Sequence, residues 1–322
     1  MIRAAALGAA ALLLAPAAAA ARDPAPAPVP APAAAGTLAV QADGPVFRVK
    51  QARLVLRGSR IGLRGALAPA LAGQAIEVRV LRDGKRRRTL RAVTAADGTF
   101  AVAVKLRRAG RYSLRTVHAA SPEIAETRGP RVVVFSKRAH LSAGARGALV
   151  RLYQRRLAAL RYFVPRTGVF DAGTARATMA FRKVQGWTRG YDANALVIRR
   201  VLRGVGAFKP RHPKAGRHVE ADLSRQVLAL IDRGKVVATY HTSTGAPATP
   251  TILGTYRVYR KSPGTNAAGM VHSSYFIRGY AIHGYVSVPA FNASHGCLRV
   301  PLADAMRIYN WIRMGDRVIV YP

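Results

Sequence analysis

Acidic residues are scarce in this chain. Across 322 residues, 14 Asp+Glu face 52 Lys+Arg, a formal charge of +38. Such a field attracts polyanions: nucleic acid, anionic lipid, or a wall rich in carboxylate and phosphate. No zinc-finger spacing, aromatic–basic RNP pattern or continuous basic helix accompanies it, so nucleic acid is not the expected partner. Arg greatly outnumbers Lys and Ala is abundant, the habit of a GC-rich genome, which offers a second origin for the charge. Cysteine occurs once, which excludes an intramolecular disulfide framework and leaves the thiol free. The single long apolar run, near the N-terminus, falls short of the ~20 residues of an ordinary spanning helix.

That run has a recognisable layout. Residues 1–21 hold a charged start at Arg3, a short Ala/Leu core ending at Leu14 and a small-residue stretch through Ala21, the arrangement of a cleavable export signal. A retained anchor is the alternative. No Cys follows the run, which rules out a lipoprotein anchor. Residues 22–35 alternate Pro with Ala and read as an extended polyproline spacer.

From 36 to 137 the pattern is short strands. Residues 75–81 alternate apolar with polar, and Asp83-Gly84 and Asp97-Gly98 turn the chain. Residues 100–106, 112–117 and 132–135 complete the set, which reads as a small β-sandwich. It resembles the immunoglobulin-like modules of exported bacterial proteins, which implies a spacer or adhesive role.

Residues 138–206 change to helical period. Leu149, Leu152, Tyr153, Leu157 and Leu160 form one stripe. Asp171 or Thr174 can cap a second helix over 174–184, and a third runs near 193–202. The runs 150–162, 168–174 and 180–186 resemble the three-helix peptidoglycan-binding domain, with Arg161 where that family has Gly and a short inter-helix loop. A helical spacer without binding is the plainer reading. Residues 207–216, with Pro210 and Pro213, read as a second linker.

In residues 217–322 strands return. A hairpin turns at 232–235, and a helix over 302–312 opens at Pro301 and ends by Gly315, before a last strand at 317–321. The only Cys lies here, in Ser294-His295-Gly296-Cys297-Leu298-Arg299, with His295 two residues before it and His283 fourteen. An ordinary thiol, with a pKa of about 8.5, needs a base to become a nucleophile near neutral pH, and histidine is the usual one. A strand through Ala281-Ile282 is expected to deliver His283 at its end. A loop over 284–293 would bring Cys297 alongside, and Gly296 would let backbone approach a substrate.

Three blocks carry a firmer likeness: Val219-Glu-Ala-Asp-Leu-Ser-Arg-Gln-Val-Leu228, Ser243-Thr-Gly-Ala-Pro-Ala-Thr-Pro-Thr-Ile-Leu-Gly-Thr-Tyr256, and His283-Gly284 followed by the cysteine motif. Together they resemble the L,D-transpeptidase (YkuD-type) catalytic domain. The whole chain is then multidomain: an Ig-like sandwich, a small all-α three-helix domain and a mainly-β catalytic domain with a helix near its C-terminus.

The resemblance implies a cysteine enzyme of peptidoglycan. Cys297 would be acylated by a tetrapeptide stem after His283 takes its proton, D-Ala would leave, and a second stem amine would take the acyl group in a 3→3 cross-link. It implies inactivation by carbapenems and no cofactor or metal. His295 is expected to orient the site or stand on its oxyanion side, and the Gly296 N–H is a candidate oxyanion donor, worth about 2.7–4 kcal/mol of barrier. Arg299, Ser294, Gly284, Tyr280 and His272 are the candidate substrate contacts; Arg299 either grips a stem carboxylate or ties the loop. The spacing of His283 and Cys297 implies a trimmed loop over the site.

Rival readings are a buried structural Cys297, and a zinc site of His283, His295 and Cys297, for which the spacing is unusual. At the level of function the rivals are an L,D-carboxypeptidase that uses water as acceptor and a non-catalytic wall-binding adaptor. The expected location is outside the cytoplasm, at the cell wall, with anionic wall polymers as possible further partners. The sequence sets no oligomeric state.

Overall fold

The computed structural model describes residues 32–49 and 51–322. The export-signal segment 1–21 and most of the Pro/Ala stretch lie outside them. The end of that stretch is already paired, since Ala34 donates to Glu123 O and accepts from Ala125 N, both at 2.9 Å.

Alternating strands build the first unit as two sheets. One orders β1 (Thr37–Asp43), β4 (Arg60–Ala68) and β7 (Thr99–Lys105). The other runs β2 (Phe47–Val49), β3 (Ala52–Leu56), β10 (Val132–Lys137), β8 (Gly110–His118), β5 (Ala75–Arg82) and β6 (Lys85–Val93), with β9 (Thr127–Arg128) beside β8. The inward set of β5, Ile76, Val78 and Val80, is buried. Val78 and Val80 share one core with Ile61 and Leu63 of β4 and Val104 of β7. Each sheet thus buries its apolar face on the other.

Three helices follow: α1 (Ala148–Ala159), α2 (Ala172–Val184) and α3 (Ala195–Leu202). Asp171, rather than Thr174, caps α2, accepting from the Thr174 amide at 2.8 Å. Asn194 caps α3 in the same way. Gln154 sits fully buried on α1 with its amide satisfied: it donates to Val169 O and Thr174 Oγ1 and accepts from Gly168 N, each at 2.8 Å. This binds the inter-helix loop to α1. The helical core also takes in Val49, Leu54 and Leu56 of the first unit.

The third unit places two sheets face to face. The first runs β13 (Lys235–His241), β12 (Val227–Asp232), β11 (His218–Asp222), β19 (Arg317–Tyr321) and β14 (Gly254–Arg257). The second runs β15 (Arg260–Thr265), β16 (Val271–Ile277), β17 (Tyr280–Tyr285) and β18 (Leu298–Pro301), with α4 (Leu302–Trp311) packed on it. Val219, Leu228 and Val318 meet Phe276, Ile282, Leu298 and Ile308 between them. Strand β11 is buried along its whole length, as a central strand covered on both faces must be. Arg233 and Gly234, with φ of 47° and 74°, make the tight turn from β12 to β13. Helix α4 stops before Ile312, and Gly315 lies in the turn that follows, at φ 81°.

The helical unit does not hang free of the third. Residues 161–163 extend the edge of β13, with Thr239 N donating to Arg161 O at 2.8 Å and Phe163 N to Thr239 O at 3.2 Å. Arg176 of α2 pairs with the nearly buried Asp304 of α4 at 3.2 Å. The segment 207–216 is pinned as well. Phe208 is buried against Val227, Ala229 and Ile231, and the amides of Arg211 and His212 donate to the buried Glu220 at 2.9 and 2.7 Å.

Candidate active site

Strands β17 and β18 are neighbours and parallel, with Ile282 opposite Leu298 and His283 opposite Arg299. A parallel pair needs a crossover connection. Here residues 286–297 make it, and Cys297 stands at its end, one position before β18. Topology therefore brings Cys297 back beside β17. His283, Cys297, Ser294, His295, Arg299 and Tyr285 line one pocket of about 180 Å³, together with Ala268 and Met270. A pocket this small takes the reacting end of a ligand rather than the whole of one. Cavities of about 450 Å³ lie elsewhere, among arginines of the first unit, and hold neither residue of the pair.

His283 is 3% exposed. It lies inside β17 rather than at its end, because the strand continues to Tyr285. Its Nδ1 stands 2.9 Å from Gly284 O. A carbonyl only accepts, so Nδ1 carries the hydrogen and Nε2 keeps the lone pair. Burial holds the imidazole below its ordinary pKa, and the Arg299 charge adds to this, against the opposing pull of the Gly284 carbonyl. Burial likewise pushes the Cys297 thiol up, although the Ala281 amide and Arg299 favour the thiolate. The resting pair is therefore neutral thiol and neutral imidazole. The sulfur lies 3.8 Å from Gly279 O and makes no hydrogen bond to His283.

The turn before the thiol is tied from within. Gly296 sits at φ 105°, where a side chain is strained, and a Cβ there would overlap the Tyr280 ring. Its amide donates to Ser294 Oγ at 3.1 Å, and that hydroxyl donates to Cys297 O at 2.6 Å. The Gly296 N–H is thus spent on the turn and is not a free oxyanion donor. Among the described residues nothing accepts from the Cys297 amide, which takes over that candidacy. Ser294 lines the pocket with its hydroxyl already engaged.

The other sequence candidates divide. His295 is exposed at the pocket. Arg299 donates to Ala293 O at 3.2 Å and lies 4.2 Å from the Tyr285 ring centre, so it ties the loop while facing the pocket. Tyr280 packs behind Gly296. Gly284 is not at the pocket. It is buried where a Cβ would press on the Ala305 methyl, and its absent side chain lets α4 approach β17. His272 is not at the pocket either. Its Nδ1 accepts from Gly264 N at 3.2 Å and its ring packs near Tyr309. Among the described residues no three His, Cys, Asp or Glu side chains gather as a metal site.

Residues 243–251 support the turn from behind, a role their motif did not reveal. Ser243 and Arg299 exchange backbone bonds at 3.1 and 2.9 Å. Thr251 Oγ1 donates to Gly296 O at 2.8 Å, and Thr249 Oγ1 to Ser294 O at 3.0 Å. Arg189 and His241, which also reach the loop, and Lys183, which holds His241, carry no signal in the sequence.

Residues 216–320 match the YkuD family model, described as an L,D-transpeptidase catalytic domain. Among solved structures the chain is similar to the L,D-transpeptidase of Xylanimonas cellulosilytica, at 29% identity over 57% of this chain and 98% of that one, with a TM-score of 0.53. It is also similar, more distantly, to an L,D-transpeptidase from Stackebrandtia nassauensis, at 21% identity over 56% of this chain and 94% of that one, with a TM-score of 0.36. No curated protein matches the chain.

Proposed function

Because the chain carries a YkuD-type L,D-transpeptidase catalytic domain and is an enzyme of that kind, we propose that Cys297 is acylated by a peptidoglycan tetrapeptide stem and passes the acyl group to the amine of a second stem. The observation that carries this reading is the shared pocket. One Cys and one His line it, and the His is held in the tautomer that leaves Nε2 basic.

In the first step Nε2 takes the thiol proton, and the sulfur attacks the carbonyl carbon of the bond between the stem's L-centre and its terminal D-Ala. The oxyanion forms at the Cys297 amide, where a preorganised donor lowers the barrier. Collapse breaks the C–N bond, and D-Ala leaves with the proton returned from the imidazolium. In the second step the acceptor amine attacks the thioester, its proton passes to His283, the thiolate leaves, and the imidazolium returns that proton to the sulfur to restore the neutral pair. With diaminopimelate-type donor and acceptor residues the product is a 3→3 cross-link. Water in place of the amine gives an L,D-carboxypeptidase through the same thioester.

The other modules serve this site in the same proposal. The protein is exported by residues 1–21. The immunoglobulin-like sandwich spaces it from its point of attachment, and the helical module contributes wall contact. The +38 charge holds it in an anionic wall, and salt weakens that hold.

Incubation of the mature chain with a disaccharide-tetrapeptide is the test. Release of D-Ala together with a cross-linked dimer, both lost in Cys297→Ala, is the expected result. D-Ala release without dimer would move the assignment to hydrolysis. Neither product from folded protein would leave the adaptor reading.

A further inference from the structure

The crossover loop 286–296 has no ladder of its own, so its carbonyls must find partners elsewhere. Several are met from within the catalytic domain: Phe291 O accepts from Ser243 Oγ at 2.7 Å, and Ala293 O from Arg299 at 3.2 Å. One is met from the helical unit directly, and one by a histidine of β13 that the helical unit in turn holds. Ala290 O accepts from the Arg189 guanidinium at 2.7 Å. Val288 O faces His241 Nε2 at 3.0 Å, and the other ring nitrogen of that histidine lies 2.9 Å from Lys183 Nζ. Lys183 belongs to α2, and Arg189 follows that helix. Both belong to the helical unit.

The Lys183 arm is chemically closed. A carbonyl at Val288 requires a hydrogen on Nε2, so Nδ1 of His241 carries the lone pair. Burial, with the Arg189 charge adding to it, lowers the Lys183 pKa to about 6, while the three acceptors around its nitrogen favour the ammonium, which has three hydrogens and no acceptor. Lys183 meets three acceptors: Thr242 O at 2.8 Å, His241 Nδ1 at 2.9 Å and Gln226 O at 3.1 Å. It is 2% exposed and no carboxylate is among its partners. A packing role alone would be met as well by an apolar side chain, without desolvating an amine. Arg189 is exposed and adds nothing to a core, yet it reaches the same loop two residues further on.

We propose that Lys183, acting through His241, and Arg189 are positioning residues that hold the crossover loop from the helical unit and so fix the approach of Cys297 to His283. The helical unit is then part of the catalytic machine and not only a wall-binding attachment. The inference rests on the acyl-transfer reading for its effect on rate, but its structural claim stands apart from that reading.

The full chain is compared with Arg189→Ala, Arg189→Lys and Lys183→Met by two readouts. The first is backbone hydrogen exchange of peptides within 284–297 against peptides within 218–240. Exchange in 284–297 rises about tenfold in Arg189→Ala, roughly what one hydrogen bond from a charged group is worth. The 218–240 peptides and the melting temperature stay as in the wild type, and Arg189→Lys restores part of the protection. Lys183→Met shows the larger effect; if it fails to fold, Arg189→Ala carries the test alone. The second readout is the rate constant for carbapenem acylation of Cys297, separated from the affinity of the first encounter. It falls several-fold in Arg189→Ala with affinity little changed. Wild-type exchange in 284–297 for Arg189→Ala, or a rise spread evenly over the whole domain, overturns the inference. A wild type that is not acylated at all counts against the acyl-transfer reading, while the exchange data still decide this one.

Discussion

His283 and Cys297 sit in the same small pocket, and burial moves their protonation in opposite directions. The imidazole is held below its ordinary value of 6.5, and the thiol is pushed above 9.0. In the proposed reaction His283 is the base and works when neutral, so activity lost to acid is lost only as pH falls through a value lower than 6.5. The thiol stays protonated until well into the alkaline range, and a substrate must be engaged before it gives up its proton. A profile of kcat/KM against pH is therefore expected to keep more than half of its plateau at pH 6.5 and to show no alkaline limb centred below pH 9.0. His283→Ala is expected to lower kcat by about 10²- to 10⁴-fold, the usual weight of a positioned acid–base group. An acid limb centred above 6.5 would contradict the neutral pair. Both residues were legible beforehand, since one Cys and two nearby His leave few choices. Gly284 and His272 were misplaced because adjacency in a motif does not tell which face of a strand a residue takes. Gly296 has the backbone freedom that its motif implies, but its amide serves Ser294, a local bond that spacing does not reveal.

At the scale of elements, period and punctuation carried most of the reading. The stripe through Leu149 and Leu160 marks α1, and the alternation at 75–81 marks β5. The apolar run 227–231 becomes a strand buried on both faces. Pairing was not legible, because nothing in a strand's sequence names its neighbour. The parallel contact of β17 with β18 is what forces the crossover and places the thiol. Caps were legible to within one choice. Asp171 takes the α2 cap because its carboxylate reaches the Thr174 amide, and that bond, with the Thr167 and Thr174 hydroxyls, outweighs burial and keeps the acid below its usual range. Asp171→Ala is expected to cost about 1 kcal/mol. In a helical unit of roughly 70 residues that lowers the melting temperature by roughly 4–8 °C, measurable by calorimetry. An unchanged melting temperature would mean that the cap is idle.

Across the whole molecule, the sequence pattern separates a helical stretch from the strand-rich stretches on either side, but it is silent on how they touch. Tyr162 and Phe163 join the edge of β13, Arg176 reaches Asp304, and Lys183 reaches His241, 58 residues away in the chain. Such contacts depend on the fold and leave no periodic trace. They make the helical unit a wall of the catalytic one. At this scale the proposed reaction requires that the assembled molecule present Cys297, with His283 in the same pocket, to an acyl donor. Intact mass after mixing the protein with a carbapenem, beside Cys297→Ala, tests it directly. One adduct per chain on the wild type and none on the variant is the expected result. An unmodified mass on folded wild-type protein, or an adduct that survives in Cys297→Ala, would contradict it.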